Sequence, residues 1–414
     1  SCSLVGSEMC IRDSADRDVW KWQRPNLFCT NEDLFTQTIV VPYLIPMLQN
    51  AGAIVFTPRE RDWQRNEIVI DNDDAVKSVY YFEKEASKRW KKCDSLGFAN
   101  RYRLKDGENP FRMGTVRQAK ATKRKKTSQV SYQPRFKEAG KYAVYVSYQS
   151  LPKSVSDAKY IVYHKGEATE FSVNQRMGGG TWVYLGTFDF DKGCNEFNRV
   201  VCTNKASRRG VVTTDAVRFG GGMGNIERGG YTSGLPRCLE GARYYAQWAG
   251  APYKVYGGRK GENDYADDIN TRSLMTNWLG GGSVYMPAKN GKHVPIELSL
   301  ALHSDAGYNK DGKSTVGALA ICTTDYNDGI LNSGISRFTS KDFARALRDN
   351  LVTDLTAQFG EFGKRYLWDR NYSETRLPEV PSAILEMLSH QNFPDMRIAQ
   401  DPLGKFYIAR SIYK

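Results

Sequence analysis

The clearest pattern in the chain is an alternation of aliphatic and polar residues over 296–302, IELSLAL, which predicts a β-strand that ends at His303. The apolar runs VGALAICTT (316–324) and VPSAILEML (380–388) have the length and aliphatic content of buried strands. The run AIVFTPR (53–59) has the same character. These segments predict a sheet with apolar surroundings.

Helical patterns are interleaved with these strands. The segment that closes at Gly360 repeats apolar residues at every fourth position, which is typical of a helix with one buried face. Residues 30–52 predict a helix that Pro42 and Pro46 kink or divide. The run PYKVYG (252–257) reads as one more strand. Helices that alternate with strands predict an α/β domain, with a mixed or mostly parallel sheet flanked by helices.

A polar helix is predicted immediately before the alternating strand, over NDYADDINTRSLMTNWLGGG (263–282). Asp267, Asp268 and Arg272 give it a charged face. We expect that face to be solvated, because charged side chains are rarely buried without partners.

Between the two α/β portions, 128–221 contains short β-rich runs separated by turn residues and no long helix. This spacing predicts an inserted all-β sandwich of about 90 residues. The first residues of the chain, SCSLVGSEMCIRDSADRD, have no clear periodicity. One interpretation of this lead segment is that it is a truncation or sequencing artefact rather than native sequence. The predicted organisation is an atypical lead (1–25), a first α/β part (26–79), a linker region (80–127), the sandwich (128–221) and a second α/β part (222–414).

Lysine and arginine exceed aspartate and glutamate by 59 − 46 = 13, which favours polyanionic surroundings such as a bacterial wall, an acidic polysaccharide or nucleic acid. Six basic residues over 117–126 favour a solvated linker, with an anion-binding patch as the alternative. No apolar run approaches the roughly 18 residues of a membrane span. We therefore expect no transmembrane segment.

The eight cysteines show no CxxC or Cys/His zinc spacing, which argues against a structural zinc module. Cys194 and Cys202 flank a short run in the strand-rich region. A disulfide between them and a pair of free thiols are both open, since a disulfide needs an oxidising compartment.

Two apolar strands each carry a polar group that a core would not select: His303 and, within SAILEML, Glu386. Glu32, at the start of the first predicted helix, adds a third. Together they could hold Zn²⁺ with an open position for water and a carboxylate to take its proton. Each also has an ordinary interpretation: a satisfied histidine, a carboxylate paired with arginine and a helix-terminal charge.

The motifs that contain these residues resemble those of the zinc-dependent N-acetylmuramoyl-L-alanine amidases. They are NEDLF followed by PMLQNAGAIVFTPRERD, then PIELSLALHSDAG, and finally VPSAILEMLSHQN. The stretches GGGTWVYLGTFDF and VVTTDAVRFGGGMG are similar to the golvesin-like sandwich domain. An amidase-like domain with this insertion resembles a class of Bacteroidetes envelope proteins, some of which are called xanthan lyases.

The resemblance implies that Glu32 and His303 are zinc ligands and that Glu386 is the general base. The reaction would be hydrolysis of the amide between N-acetylmuramic acid and L-alanine of peptidoglycan. The family's first ligand is a histidine on the opening strand, whereas this chain has no histidine before His164. Either that segment is lost or the site is incomplete, and we expect Zn²⁺ to bind this chain weakly or not at all.

Four further residues are candidates for contact with the substrate. Asp305 stands where the family usually has Asn, and His390 follows Glu386 by four residues. Tyr372 and Arg376 lie in NYSETR, a segment just before the last strand that also contains Glu374 and could line the cleft. The Arg376 guanidinium suits a substrate carboxylate. For Arg376 a structural salt bridge is an equal alternative.

The sequence thus predicts a secreted, periplasmic or envelope-associated amidase that acts on peptidoglycan or another anionic glycan, not on nucleic acid. A non-catalytic peptidoglycan- or polysaccharide-binding protein on a decayed amidase scaffold is the second hypothesis. A polysaccharide lyase of the xanthan type, with Tyr372, His390 and Arg376 at its site, is the third.

Overall fold

The structure is a computed structural model that describes residues 2–6, 11–12, 20–74, 80–86 and 88–414, the first two segments as backbone only. The chain divides into two compact units. The first contains Ser1–Arg59, Leu239–Ala246 and Lys254–Lys414, and the second contains Glu60–Cys238 and Gln247–Tyr253. The second unit therefore interrupts the first in sequence.

The strands, in chain order, are β1 Cys2–Gly6, β2 Ile11–Arg12, β3 Trp20–Lys21, β4 Val55–Phe56, β5 Ile68–Ile70, β6 Tyr81–Lys84, β7 Lys91–Gly97, β8 Leu104–Lys105, β9 Gly114–Lys120, β10 Gln129–Tyr132, β11 Gly140–Val146, β12 Ala158–His164, β13 Glu167–Val173, β14 Val183–Phe190, β15 Arg199–Thr203, β16 Val211–Thr214, β17 Val217–Phe219, β18 Ile226–Glu227, β19 Leu298–Asp305, β20 Ala318–Cys322, β21 Lys364–Asp369 and β22 Ser382–Ser389.

The α-helices are α1 Glu32–Phe35, α2 Gln37–Ile39, α3 Ile45–Asn50, α4 Ala242–Trp248, α5 Tyr253–Tyr256, α6 Asp264–Gly280, α7 Phe338–Phe359, α8 Ser373–Arg376, α9 Phe393–Gln400 and α10 Pro402–Tyr413. A π-helical turn spans Val40–Leu44, and 3₁₀ turns span Pro110–Arg112 and Arg237–Leu239. Within the described residues, no helix combines the length and apolarity that crossing a bilayer requires.

In the first unit, six strands form one sheet in the order β21-β20-β22-β19-β1-β4. The pairs β4–β1, β1–β19, β19–β22 and β20–β21 are parallel, whereas β20 and β22 are antiparallel. The sheet is therefore mixed. Its strand β1 comes from the atypical lead and lies between β4 and β19.

Both faces of this sheet are apolar, which explains the near-continuous aliphatic runs of its central strands. On one face, Leu300 and Leu302 pack in the large core with Leu347 and Leu351 of α7. The other face carries a smaller cluster of Ala301, Leu319, Ile321 and Ile384. Because side chains alternate along a strand, each central strand contributes to both cores.

The alternating strand continues past the point where the sequence predicted its end. β19 extends to Asp305 because Asp305 still pairs with Ser389 of β22, after a register shift that follows His303. His303 therefore lies inside the strand, close to its carboxyl end.

Two helical predictions agree with the structure and two others do not. Pro42 and Pro46 fall in a helical region that is divided at the π-helical turn. The helix α7 ends before Gly360, which has a positive φ of 87°. The run PYKVYG was predicted as a strand, but its Tyr253–Tyr256 is helical, with Pro252 favouring a helix start. The predicted solvated face of α6 is also wrong, because its charged residues are buried.

The second unit is built mainly from antiparallel strands. One sheet has the order β13-β12-β15-β10-β6 and another has the order β14-β11-β17-β5. Val130 and Val162 of the first sheet and Val144 and Phe219 of the second lie in one buried cluster. The two sheets thus enclose one apolar core, as the layers of a β-sandwich do.

Cys194 and Cys202 are free thiols in the structure. Cys202 lies in the core of the second unit, whereas the Cys194 sulfur contacts the side chain of Gln133. The two side chains therefore have separate surroundings, and of the two alternatives the structure has the free thiols.

Candidate functional site

The site of the first unit begins with two strand positions that the sheet register brings together. His303 and Glu386 are ladder partners in the parallel pair β19–β22. Each follows a member of the smaller apolar cluster, Ala301 or Ile384, by two residues, so both side chains continue the face of that cluster. An imidazole and a carboxyl thus stand side by side near the carboxyl ends of parallel strands, where open α/β sheets place ligands.

Helix α1 brings a second carboxylate to His303. Its N-cap residue Asn31 accepts a hydrogen bond from the backbone of Leu34, which fixes the start of the helix. The Glu32 Oε1 atom then lies 3.0 Å from His303 Nδ1 and accepts the Ser304 backbone N–H at 3.3 Å. Glu32 is also paired with Arg24 at 3.3 Å. Burial raises the pKa of Glu32, but the hydrogen bond and charge of His303, with the charges of Arg24 and His390, together lower it below its ordinary value.

The other nitrogen of the imidazole faces Glu374, which the sequence placed near the cleft within NYSETR but did not assign to the metal site. His303 Nε2 lies 2.9 Å from Glu374 Oε2, and Glu374 Oε1 pairs with the Arg272 guanidinium at 3.3 Å. Arg272 in turn pairs with Asp268 at 2.9 Å. Burial raises the pKa of Glu374, but His303 and Arg272 outweigh it and hold the pKa at about 2.

These contacts correct the prediction for helix α6. Asp267, Asp268 and Arg272 are at most 2% exposed, so this face of α6 is buried rather than solvated. The charges are tolerated because Asp268 and Arg272 pair with each other, and Arg272 also pairs with Glu374.

Glu386 is a carboxyl group without an evident partner. Its Oε2 atom is buried and has no hydrogen-bond partner among the described residues. Burial, together with the charges of Glu32, Asp305 and Glu374, raises the pKa of Glu386 to about 8. Burying a carboxyl oxygen without a partner costs stability, and the residue that bears this cost is the ladder partner of His303.

Of the four candidates for contact with the substrate, two lie next to this cluster. His390 is buried, and its Nδ1 lies 2.9 Å from the Ser304 backbone oxygen. Asp305 forms an ion pair with Arg365. Arg376 instead donates to the Asn371 side chain at 3.0 Å, and Tyr372 is 45% exposed. Within the described residues, no hydrogen bond or ion pair joins Tyr372 or Arg376 to His303 or Glu386.

The donor set fits Zn²⁺ at two positions. An imidazole nitrogen and a carboxylate oxygen 3.0 Å apart match two ligands of one tetrahedral ion, which stand roughly 3.3 Å from each other when each bond is about 2.0 Å. Catalytic zinc usually takes three protein ligands, yet in the described part of the chain no three His, Cys, Asp or Glu side chains converge on a metal position. Glu32 and His303 thus supply two donors where a catalytic zinc usually has three protein ligands.

The raised pKa of Glu386 predicts a titration in the metal-free protein. The carboxyl should lose its proton near pH 8 rather than near its ordinary value of 4.5. The folded state therefore binds more protons than the unfolded state between these values, and the stability that Glu386 contributes should fall as pH rises through this window. The infrared band of the protonated Glu386 carboxyl, identified by its absence from Glu386→Gln, measures the pH at which this proton is lost. Loss of the band near pH 4.5 would contradict the prediction.

Comparison with known proteins identifies part of the chain. Residues 106–221 match the Golvesin C-terminal domain. Over 97 residues the chain is 34% identical to the xanthan lyase of Bacillus sp. (strain GL1), a stretch that is 23% of this chain and 10% of that protein. The chain therefore spans only a small part of this relative.

Solved structures overlap the chain partially. The Paenibacillus xanthan lyase is 21% identical, with a TM-score of 0.29, over 37% of this chain and 13% of its own. N-acetylmuramoyl-L-alanine amidase from Clostridium difficile 630 is 14% identical, with a TM-score of 0.25, and the overlap covers 39% of this chain and 74% of the amidase. The corresponding amidase from Mycobacterium smegmatis is 19% identical, with a TM-score of 0.26, and the overlap covers 44% of this chain and 81% of that amidase. Overlaps of this size do not establish a shared fold, so the match that stands is the Golvesin C-terminal domain at 106–221.

Proposed function

We propose that the first unit is an envelope-associated or secreted hydrolase that cleaves the amide between N-acetylmuramic acid and L-alanine in peptidoglycan. The observation that carries the proposal is the grouping of Glu32 and His303 with the unpartnered carboxyl of Glu386. The order of the amidase-like motifs in the sequence supports it. The second unit would bind the glycan and so bring the first unit to its substrate.

In this proposal Glu32 and His303 hold Zn²⁺, and Glu386 moves the proton. When bound, the ion acts as a Lewis acid that polarises the amide carbonyl and makes a nearby water more acidic. Glu386 takes one proton from the attacking water as the new C–O bond forms. It then passes that proton to the amine as the C–N bond breaks, so the carboxylate is regenerated.

The positions of the neighbouring residues suit this role for Glu386. A cation beside Glu32 and His303 would favour the ionised carboxylate of Glu386, which is the form that can accept a proton. His390 and the Asp305–Arg365 pair border the same strand ends and would shape the entrance for the stem peptide. The apolar cluster on the same face would limit access of other water molecules.

A binding protein without catalysis is the second candidate, and one observation favours it. The described residues supply two zinc donors instead of three. In this case the same cluster would recognise the muramoyl-peptide without cleaving it.

Digestion of purified peptidoglycan in the presence of Zn²⁺ separates these candidates. An amidase releases stem peptides with a free L-alanine amino terminus and leaves intact glycan strands. A binding protein sediments with the peptidoglycan but releases no peptide, and that result would contradict the proposed hydrolysis. A lyase would instead yield unsaturated sugars that absorb ultraviolet light, which would also overturn the proposal.

A further inference from the structure

Glu374 links the candidate metal site to a buried chain of charges. Its two carboxylate oxygens have different partners: Oε2 faces His303 Nε2 at 2.9 Å, and Oε1 faces Arg272 Nη1 at 3.3 Å. A third residue, Asp268, pairs with the second terminal nitrogen of Arg272 at 2.9 Å. The side chains of Glu374, Arg272 and Asp268 are 7%, 1% and 1% exposed, so water screens these interactions little.

The position of Glu374 bears on which imidazole nitrogen can bind a cation. An ionised carboxylate only accepts hydrogen bonds, so His303 Nε2 must carry the proton in the contact with Glu374. The same reasoning puts a proton on Nδ1, which faces the Glu32 carboxylate at 3.0 Å, so without a metal both nitrogens of His303 carry a proton. A cation that binds beside Glu32 would displace the Nδ1 proton, and Glu374 would keep the proton on Nε2. Histidines that bind metals commonly donate their other N–H to a carboxylate in this way.

We propose that Glu374 is a positioning residue that holds His303 with Nδ1 directed towards the metal position, and that Arg272, fixed by Asp268, holds Glu374 in place. This inference rests on the proposed function, since it assigns a purpose to Glu374 in binding Zn²⁺. Arg272 is needed because Glu32, Glu374 and Glu386 are three carboxyl groups around one imidazole. Its guanidinium offsets one of these charges while leaving Glu374 Oε2 directed at His303.

Glu374→Gln removes the charge with little change in size, and Glu379→Gln is the matched control. Glu379 is 8% exposed and lies on the same segment, but it pairs with Lys289 and Arg337 rather than with His303. Competition with a chromophoric chelator measures the zinc affinity of the full chain. We expect Glu374→Gln to weaken zinc binding about 10- to 100-fold, and Glu379→Gln to leave it within about twofold of wild type. Glu374→Asp, which keeps the carboxylate, should fall between wild type and Glu374→Gln.

A spectroscopic readout separates positioning from a general loss of structure. Proton–nitrogen NMR of histidine-labelled protein should show a slowly exchanging, hydrogen-bonded His303 Nε2–H, identified by its loss in His303→Ala. Only four histidines contribute to this spectrum. The signal should be present in wild type and Glu379→Gln and weakened or absent in Glu374→Gln.

The possible outcomes separate this inference from the proposed function. If wild type binds no zinc, both are overturned. If wild type and Glu374→Gln bind zinc equally well, or the Nε2–H signal is unchanged in Glu374→Gln, only the role of Glu374 is overturned. If Glu379→Gln weakens zinc binding as much as Glu374→Gln does, the loss of affinity comes from removing any buried glutamate, and the positioning role of Glu374 is overturned.

Discussion

Glu386→Gln is expected to lower peptide release from peptidoglycan by about 10²- to 10⁴-fold, the contribution typical of a general base. The physical reason is that an amide side chain cannot take the proton of the attacking water. Zinc affinity should stay close to that of wild type, because Glu386 is not one of the two donors that contact each other, Glu32 and His303. The rate of peptide release and the zinc affinity, measured on the same preparation, check both parts.

Two results would remove Glu386 from the mechanism. One is full activity in Glu386→Gln. The other is an equal loss in Glu379→Gln, which changes a buried glutamate outside the cluster and controls for the loss of a buried charge.

His303→Ala is expected to lower zinc affinity by more than about 100-fold, beyond the 10- to 100-fold cost of losing an outer partner of a ligand. The substitution removes the nitrogen donor of the proposed zinc site and leaves the carboxylates of Glu32 and Glu374 as like charges around the vacated space. Equilibrium dialysis with metal analysis measures the affinity. Activity should fall with metal occupancy and should return in part at high Zn²⁺ concentration.

His293→Ala is the control for this measurement. His293 is an exposed residue of the same unit, and its ring contacts the Gly282 backbone oxygen rather than a carboxylate. Equal zinc affinity of His303→Ala and wild type would show that any bound zinc is held elsewhere.

The position of His303 and Glu386 near the ends of apolar strands could be predicted from the sequence because it follows from local periodicity, whereas their grouping in one site was implied only by the resemblance to the amidases. Side chains two residues apart on a strand share a face, so an aliphatic run that carries one polar residue near its end delivers that residue to the edge of a core. This reasoning places both residues, and the structure makes them ladder partners. Glu32 could be placed at a helix start, where acidic residues are favoured. The roles of all three in catalysis stay predictions.

The contacts of Glu374 and Arg272 could not be predicted in the same way. They depend on how α6 packs against the short helix α8, about a hundred residues later in the chain, and no local pattern encodes that pairing. The acid–base spacing of Asp268 and Arg272, four residues apart on α6, is equally compatible with a solvated helix face and a buried ion pair. The sequence signal for Glu374 is that it is an acidic residue in NYSETR, a polar segment just before the last strand. This position indicates the cleft but not the partners His303 and Arg272.

The mass spectrum of muropeptide products formed in ¹⁸O-labelled water shows directly whether the protein hydrolyses the muramoyl amide. An amidase breaks the C–N bond with water, so the lactyl carboxylate of N-acetylmuramic acid should gain one ¹⁸O while the released L-alanine amino group gains none. We expect this single label in products of the wild-type chain with Zn²⁺ and almost no labelled product from Glu386→Gln. Unlabelled or unsaturated products, or labelled product formed equally by both proteins, would contradict it.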